Sequence, residues 1–379
     1  MKIAIIGTGF VADYYMTTLV NHPQLVLGGA YDRDSARLKQ FADYYKVATY
    51  PDFEAILADN EVSIIVNLTT PENHYLLSKR ALEAGKHVYC EKPLAIRYEE
   101  AAELVALAER LDLILASAPA NAMSDAYRLV AKSLDDIGKP RLIYAQIEDG
   151  PVFRANWQGW RSVSGARWPG LHEFEIGSTL EHAGYALSWL VSLFGPVESL
   201  AAFSTLAFPD KGPGTGAIKM APDFSVGCLQ FHSGVIARLT CGLAAPRDRS
   251  LMILGDRGTL TAEDLWDHRS AIYLETAAEG RTLRTKVVDL MEVHLKRFLH
   301  WKPLPGRKLA YDNSARRAKL PAYPSQIDFA GGIAAQADAI EQGTPLFSSG
   351  KAALHITELA LALNNAGSLP QPYKMRSTF

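Results

Sequence analysis

The sequence predicts an α/β protein: an N-terminal doubly wound parallel sheet, then an α/β unit with a large, mostly antiparallel open sheet. Three observations predict it. Short apolar runs alternate with helix-length amphipathic stretches over the first third of the 379 residues. A glycine turn joins the first run to the first helix, in strand–turn–helix order. Beyond Pro119 the alternation gives way to β-type runs separated by turns and one long loop.

The first run, Lys2-Ile3-Ala4-Ile5-Ile6, has the composition of a strand buried on both faces of a parallel sheet. It enters Gly7-Thr8-Gly9-Phe10-Val11-Ala12 and then a stretch that can be helical as far as Asn21. In this context Gly7 permits the tight turn, and Gly9 lets the backbone approach a pyrophosphate. Ala12 stands in for a third glycine and keeps helix and strand close. Phosphates would sit on the unpaired N–H groups at the helix N-terminus. A second strand, residues 25–31, ends in Asp32-Arg33-Asp34. An acidic side chain here accepts both adenosine ribose hydroxyls and repels a 2′-phosphate, which favours NAD over NADP. Arg33 keeps NADP open, because a guanidinium can stack on adenine or neutralise that phosphate. Asp32 also has a plain alternative, as cap of the helix over 35–45.

A helix over 53–58 leads to a third buried strand, 62–68, ending in Thr69-Thr70-Pro71-Glu72-Asn73-His74. Pro71 stops the strand and opens a helix to about residue 84, with Gly85 as its C-cap. Residues 86–90 form a fourth strand carrying Glu91-Lys92-Pro93 at its carboxyl end, and a helix over 98–111 precedes a fifth strand at 113–116. Gly7, Asp32, Thr69 and Lys92 therefore fall at successive strand ends, where ligands of such sheets bind. Lys92 carries a chemical argument of its own. Oxidising an alcohol by hydride loss needs a group to take or stabilise the hydroxyl proton. A lysine partly desolvated beside a cationic oxidised nicotinamide would have its pKa lowered toward the working range.

The second unit is expected to hold a helix over 125–135, a strand over 141–148, an irregular loop over 150–170 and a helical stretch over 173–194. Strands at 199–203, 224–231, 235–243 and 249–254 follow. A hairpin turn at Gly255-Asp256-Arg257-Gly258 and further strands at 271–274 and 283–288 complete the sheet. The basic stretch 294–319 reads as a solvated surface loop, and 327–341 and 353–363 as closing helices. The loop places Arg154, Trp157, Trp160, Arg161, Arg167 and Trp168 within fifteen residues. Tryptophan faces stack on sugars and arginines fork onto anionic oxygens, so the loop suits a polyhydroxylated, anionic substrate. A lid or subunit contact fits it equally.

Composition narrows the class. With 48% hydrophobic residues, 21% charged and a formal net charge of −2, the chain is soluble and globular in type. It offers no electrostatic reason for a nucleic-acid or membrane partner. Three cysteines (Cys90, Cys228, Cys241) without ligand spacing point to a reducing compartment and to no metal centre. The N-terminus reads as a strand rather than a signal peptide, and no run reaches transmembrane length, so the cytoplasm is expected.

Glu91-Lys92-Pro93 after a strand, together with Gly7-x-Gly9 and Thr70-Pro71-x-x-His74, resembles the glucose–fructose oxidoreductase / inositol dehydrogenase / MocA (Gfo/Idh/MocA) family. The resemblance implies an NAD(P)-binding Rossmann domain over 1–120 and a substrate-binding and oligomerisation domain over 121–379. It implies that Lys92 lies beside the nicotinamide and contacts the reacting hydroxyl, and that Glu91 lies near the nicotinamide ribose. Pro93 would be preceded by a cis peptide. Thr69, Thr70 and His74 would line the nicotinamide half of the cofactor, and Asn121 would touch it, although the usual Arg-Phe that follows is Ala122-Met123 here. Most relatives carry an acidic residue and, four positions later, a histidine. Here Glu181 falls on the first position and Tyr185 on the second, with His182 one residue out of register. Either Tyr185 assists Lys92, its high ordinary pKa lowered by that cation, or His182 reaches the site.

The expected function is NAD(P)-dependent oxidation of a CH–OH group of a sugar, cyclitol or sugar acid by a homodimer or homotetramer. Two alternatives stand beside it. One is a glycosidase working by transient oxidation, elimination and re-reduction on a retained NAD. The other is a non-catalytic NAD-binding protein.

Overall fold

The computed structural model describes residues 1–276, 286–287, 290–291, 306–312, 317–322 and 324–379. The strand expected over 283–288 and the basic stretch 294–319 fall largely outside them. Five parallel strands, β1 (Lys2–Ile6), β2 (Val26–Tyr31), β3 (Val62–Asn67), β4 (His87–Cys90) and β5 (Leu115–Ser117), form the first sheet in the order β2-β1-β3-β4-β5. The order reverses beside β1, so the crevice between the ends of β1 and β3 is the switch point where ligands bind. Helices α1 (Ala12–Leu19) and α2 (Ser35–Tyr45) pack on one face through Ala12, Tyr15 and Phe41. Helices α3 (Phe53–Ala58), α4 (Pro71–Glu83) and α5 (Tyr98–Arg110) cover the other through Ile56, Leu82 and Leu104.

The first face is completed by a segment from far along the chain. Helix α9 (Gly331–Gln342) lies on β4 and β5, where the Gln336 amide donates to the carbonyls of Val88 and Ile114 at 3.0 and 2.9 Å. Helix α10 (Gly350–Asn364) packs against α5 as well as α8 (Ser178–Phe194). The two halves therefore share a continuous core.

Among the described residues the second sheet has nine strands in the order β13-β12-β11-β10-β6-β9-β8-β7-β14. These are β6 (Pro140–Glu148), β7 (Val197–Thr205), β8 (Phe224–Phe231), β9 (Ile236–Gly242), β10 (Leu251–Gly255), β11 (Gly258–Ala262), β12 (Ile272–Thr276), β13 (Arg307–Lys308) and β14 (Tyr373–Lys374). Every pairing is antiparallel except β6 with β9. Helices α6 (Asp125–Ser133), α8 (Ser178–Phe194) and α10 cover the inner face. The outer face leaves Leu142, Tyr144, Phe203 and Ile236 exposed. Among the described residues no helix is long and apolar enough to cross a membrane.

One expected element is split. The helical stretch over 173–194 is two helices, α7 (Gly170–Ile176) and α8, with Gly177 between them at φ +98°. A Cβ there would come within 2.9 Å of the Asn364 side chain and the Pro222 carbonyl, so the break depends on glycine.

Candidate active site

A cleft of about 790 Å³ runs along the carboxyl ends of the first sheet and under α8. At its outer end Gly7 turns the chain at φ +89°, and a Cβ there would strike the Leu68 carbonyl group at 2.7 Å. Gly9 faces open space, with nothing within 4 Å of where a Cβ would stand. The N–H groups of Gly9, Phe10 and Val11 have no acceptor among the described residues. An open glycine face, free N–H groups and a helix N-terminus fit a dinucleotide pyrophosphate, so these residues are suited to hold one.

Asp32 is buried at the end of β2 and more heavily engaged than its position alone suggests. Its carboxylate accepts from the Thr8 N–H at 2.8 Å, the Thr8 hydroxyl at 3.0 Å and the Asp34 N–H at 2.9 Å. Arg37 adds a fork at 2.9 and 2.6 Å. Burial works to raise its pKa, but the Arg37 guanidinium and the two N–H groups outweigh it and hold the carboxyl below the usual range. Arg33, exposed beside it, lines the same end of the cleft.

The nicotinamide end is built from β3, α4 and β4. The Asn67 carboxamide accepts from the Thr69 hydroxyl at 2.7 Å and donates to Ser78, which orients the strand end. Thr70 precedes α4 and accepts from Asn73. His74 is fully buried, its ring nitrogens 2.7 Å from the Pro93 carbonyl and 3.0 Å from the Thr69 carbonyl. Burial pushes its pKa down, against the two carbonyls that favour the charged ring, and the ring braces Thr69 against Pro93. Glu91 accepts from Tyr15 at 2.7 Å and from the Lys92 N–H at 3.1 Å. The Lys92–Pro93 peptide is cis.

Lys92 reaches α8, where its Nζ lies 2.7 Å from Glu181 Oε2 and 5.9 Å from the Tyr185 ring centre. Burial acts to lower its pKa, but the Glu181 and Glu91 carboxylates reverse that, and the net shift is upward. Lys92 is thus a buried cation paired with Glu181. Tyr185 differs from expectation. Lys92 does pull its pKa down, but burial is the larger effect and the phenol stays above its ordinary value. Tyr185 is thus a proton-bearing donor.

His182 also reaches the cleft, and here the structure adds residues that sequence reasoning missed. Its Nδ1 is 2.7 Å from Asp149 and its Nε2 is 3.3 Å from Glu173. Burial opposes the imidazolium, but these carboxylates outweigh it and raise the pKa. Glu173 is pushed up to about 7, first by burial and then by Glu181 and Asp149, against His182. Along one unbroken helix nine residues span two and a half turns, about 14 Å and opposite faces. The break at Gly177 is what brings Glu173 back beside His182. Trp266 closes this corner, 4.5 Å from Tyr185 and 5.6 Å from His182 between ring centres.

Other expected residues sit elsewhere. Asn121 turns inward, donating to the Tyr185 and Leu265 carbonyls at 2.8 and 3.2 Å and accepting from Ser188. It braces the far side of α8 and is not part of the cleft lining. Of the five residues expected at the substrate, Trp168 alone lines the cleft, joined by Arg167. Trp157 is buried with Phe153, Phe174 and Leu243 in a small separate core. Trp160 packs at a tilt against Trp168, 5.0 Å between ring centres. Arg154 is exposed over Phe153, and Arg161 donates to the Gln158 and Trp160 carbonyls. They are not among the cleft-lining residues because the tryptophans anchor the loop.

Fold and cleft together define a nicotinamide-dinucleotide oxidoreductase built from a Rossmann sheet and an open-sheet domain. A profile described as "Oxidoreductase family, NAD-binding Rossmann fold" matches residues 1–118, and one described as "GFO/IDH/MocA C-terminal domain" matches residues 134–261. The chain belongs to the Gfo/Idh/MocA oxidoreductase family. It is 29% identical over 273 residues to an uncharacterized oxidoreductase of Synechocystis, covering 69% of this chain and 71% of that one. It is 24% identical over 205 residues to a scyllo-inositol 2-dehydrogenase (NADP(+)) of Bacillus subtilis, covering 53% and 61%. Among solved structures, aldose-aldose oxidoreductase from Caulobacter crescentus, complexed with glycerol, superposes with a TM-score of 0.74 at 17% identity over 99% of both chains.

Proposed function

We propose that the protein oxidises a secondary hydroxyl of a sugar or cyclitol, or runs the reverse reduction, with NAD as the preferred partner and NADP also accommodated. The observation that carries this reading is the Lys92–Glu181 ion pair at 2.7 Å, at the inner end of a cleft whose outer end fits a dinucleotide. When bound, the nicotinamide supplies the hydride acceptor or donor. Gly9 to Val11, Asp32, Thr69 and Thr70 hold the dinucleotide. The Lys92 ammonium donates a hydrogen bond to the reacting oxygen and stabilises its alkoxide character in both directions, keeping its own proton. Tyr185 orients that oxygen as a second donor. The Glu173–His182–Asp149 group holds the proton that leaves the hydroxyl, because Glu173 changes charge near neutrality. Relatives named for scyllo-inositol and for UDP-N-acetylglucosamine oxidation support the substrate class. The exposed apolar face of the nine-stranded sheet supports assembly of like subunits through it.

The test is reduced-nicotinamide absorbance with purified protein, NAD or NADP, and a panel of inositols, aldoses and uronic acids. Lys92→Ala retaining full activity would sink the assignment. One observation favours a second reading, hydrolysis by transient oxidation: elimination needs an acid/base beyond Lys92, and Glu173–His182 supplies one. Aglycone release from a nitrophenyl glycoside at catalytic NAD, without net reduced cofactor, would select it.

A further inference from the structure

The loop before α7 is folded into a finger that leaves the second domain and ends on the first. Residues 160–168 form a narrow hairpin: Trp168 N–H donates to the Trp160 carbonyl at 3.2 Å and Ser162 N–H to the Ala166 carbonyl at 2.9 Å. Trp168 contacts Trp157 and Phe174 and roots the finger in its own domain. The tip is latched to the first domain. Ser164 donates from its hydroxyl to Asp13 of α1 at 2.8 Å, and Gln40 of α2 donates to the Ser164 carbonyl at 2.5 Å. Past the finger, His172 meets Glu72 at the start of α4, 2.7 Å away. The segment is therefore fastened on both sides of the dinucleotide cleft, and its residues 165–169 line that cleft together with Gly9 to Val11. Arg167 lies between the two fastenings. It is exposed, it lines the cleft, and it has no ion-pair partner among the described residues.

We propose that this finger is a clasp over the bound dinucleotide, that Arg167 is a phosphate-binding residue contributed by the second domain, and that cofactor exchange requires the tip to leave Asp13 and Gln40. The inference rests on the cleft being the dinucleotide site. Gly165, at φ +95°, makes the latch possible, since a Cβ there would meet the Gln40 amide at 2.1 Å. A guanidinium is the natural fork for phosphate oxygens, and a charge-assisted bond of this kind is among the stronger ones.

The experiment needs no substrate. NADH and NADPH binding are followed by energy transfer from tryptophan, with Trp168 on the finger itself, and release by stopped-flow displacement with excess NAD. Arg167→Ala should weaken NADH binding about tenfold to a hundredfold, and Arg167→Lys should recover part of that. Gln40→Ala/His172→Ala, which removes one fastening on each side and leaves the Ser164–Asp13 contact, should speed release several-fold and speed binding with it. Gly165→Ala should speed release without removing any side-chain contact to the cofactor. Circular dichroism confirms that each variant is folded. Affinity and release within twofold of wild type in all of them would overturn the clasp. A wild-type protein that binds neither nucleotide would overturn the reading of the cleft itself.

Discussion

Removing the Glu181 carboxylate while keeping Lys92 perturbs the site most directly. The two groups are 2.7 Å apart, with side chains 13% and 18% exposed. At an effective permittivity of about 20, unit charges at that distance attract by about 6 kcal/mol. Most of that offsets lost hydration, so the pair contributes little net, whereas a partner left alone costs about 3–5 kcal/mol. The loss has a ceiling, because Lys92 can shed its proton instead. At pH 7.5, against an ordinary lysine pKa of about 10.4, shedding costs about 4 kcal/mol. Glu181→Leu should therefore lose about 3 kcal/mol at pH 7.5, Glu91 keeping some charge balance. The double variant Lys92→Met/Glu181→Leu should return to within about 1 kcal/mol of wild type while remaining inactive. The pH dependence has a definite sign. In wild type the folded chain raises the Lys92 pKa, so that contribution is complete below the ordinary lysine value and is lost only as pH rises through the folded one. Glu181 is lowered, so its contribution is lost only as pH falls through its folded value. Between them the wild-type pair contributes evenly. In Glu181→Leu, shedding the Lys92 proton becomes the cheaper course above about pH 8, and from there the deficit should shrink by about 1.4 kcal/mol per pH unit toward pH 9. Urea unfolding followed by tryptophan fluorescence at pH 7.5 and 9 measures both effects. Additive single-variant losses, or a deficit that does not change with pH, would refute the argument.

Tyr185→Phe should keep the fold and lower kcat about tenfold to a hundredfold with little change in KM, because it removes a donor rather than a base. Steady-state kinetics decides that. Glu148, buried beside Asp149 and Asp248, is pushed up to about 7, mainly by burial. A carboxyl whose pKa rises on folding costs stability once it ionises. Glu148→Gln should therefore exceed wild type by up to about 3 kcal/mol at pH 8, with the gain vanishing only by about pH 4 in parallel unfolding curves. Asp32→Ala should release Arg37 and move the affinity ratio at least about tenfold toward NADPH over NADH in fluorescence titrations, since the carboxylate that repels a 2′-phosphate is gone.

Much of the dinucleotide end was legible because each part is local. Gly7 and Gly9 lie on one strand–turn–helix, Asp32 ends the next strand, and Thr69 and Lys92 end two more, so order along the chain carried position in space. Asp32 was readable as an acid at a strand end, but its capture by Arg37 was not, since a helix residue five places on can point several ways. The inner end depends on juxtaposition. Glu173 lies on the wrong face of any unbroken helix through His182, and only the left-handed Gly177 turns it back. A glycine between two helical stretches was the available signal. Asp149 comes from the end of β6 and had no pattern to mark it. The tryptophans of the 150–170 loop suggested sugar stacking by residue type. Burial of Trp157, and Trp160 packed at a tilt against Trp168, are what lets an irregular segment hold a fixed shape. Helix α9 on the first sheet was unreadable because its partners, Val88 and Ile114, lie more than two hundred residues earlier.

The charges at the inner end also bear on the substrate. Glu181, Glu173, Asp149 and Glu91 gather there against Lys92, His182 and the Arg249 guanidinium, itself paired with Asp264 at 3.1 Å. Each of these three cations already has a carboxylate partner, so a substrate carboxylate beside Lys92 would have to displace Glu181. Hydroxyl groups face no such competition, because they donate to the carboxylates and accept from Lys92 and Tyr185 together. Of the three loop arginines that made an anionic substrate attractive, Arg154 and Arg161 are not among the cleft-lining residues, and Arg167 lines the cleft that Gly9 and Val11 also line. An uncharged ring at the reacting end therefore fits better than an acid. An inositol or aldose should show a kcat/KM at least about tenfold above that of the matching uronate, the difference expected when a buried ion pair must be broken to admit a second anion. Equal efficiency toward both would mean that Glu181 leaves Lys92 on binding, and Glu181→Gln should then favour the uronate.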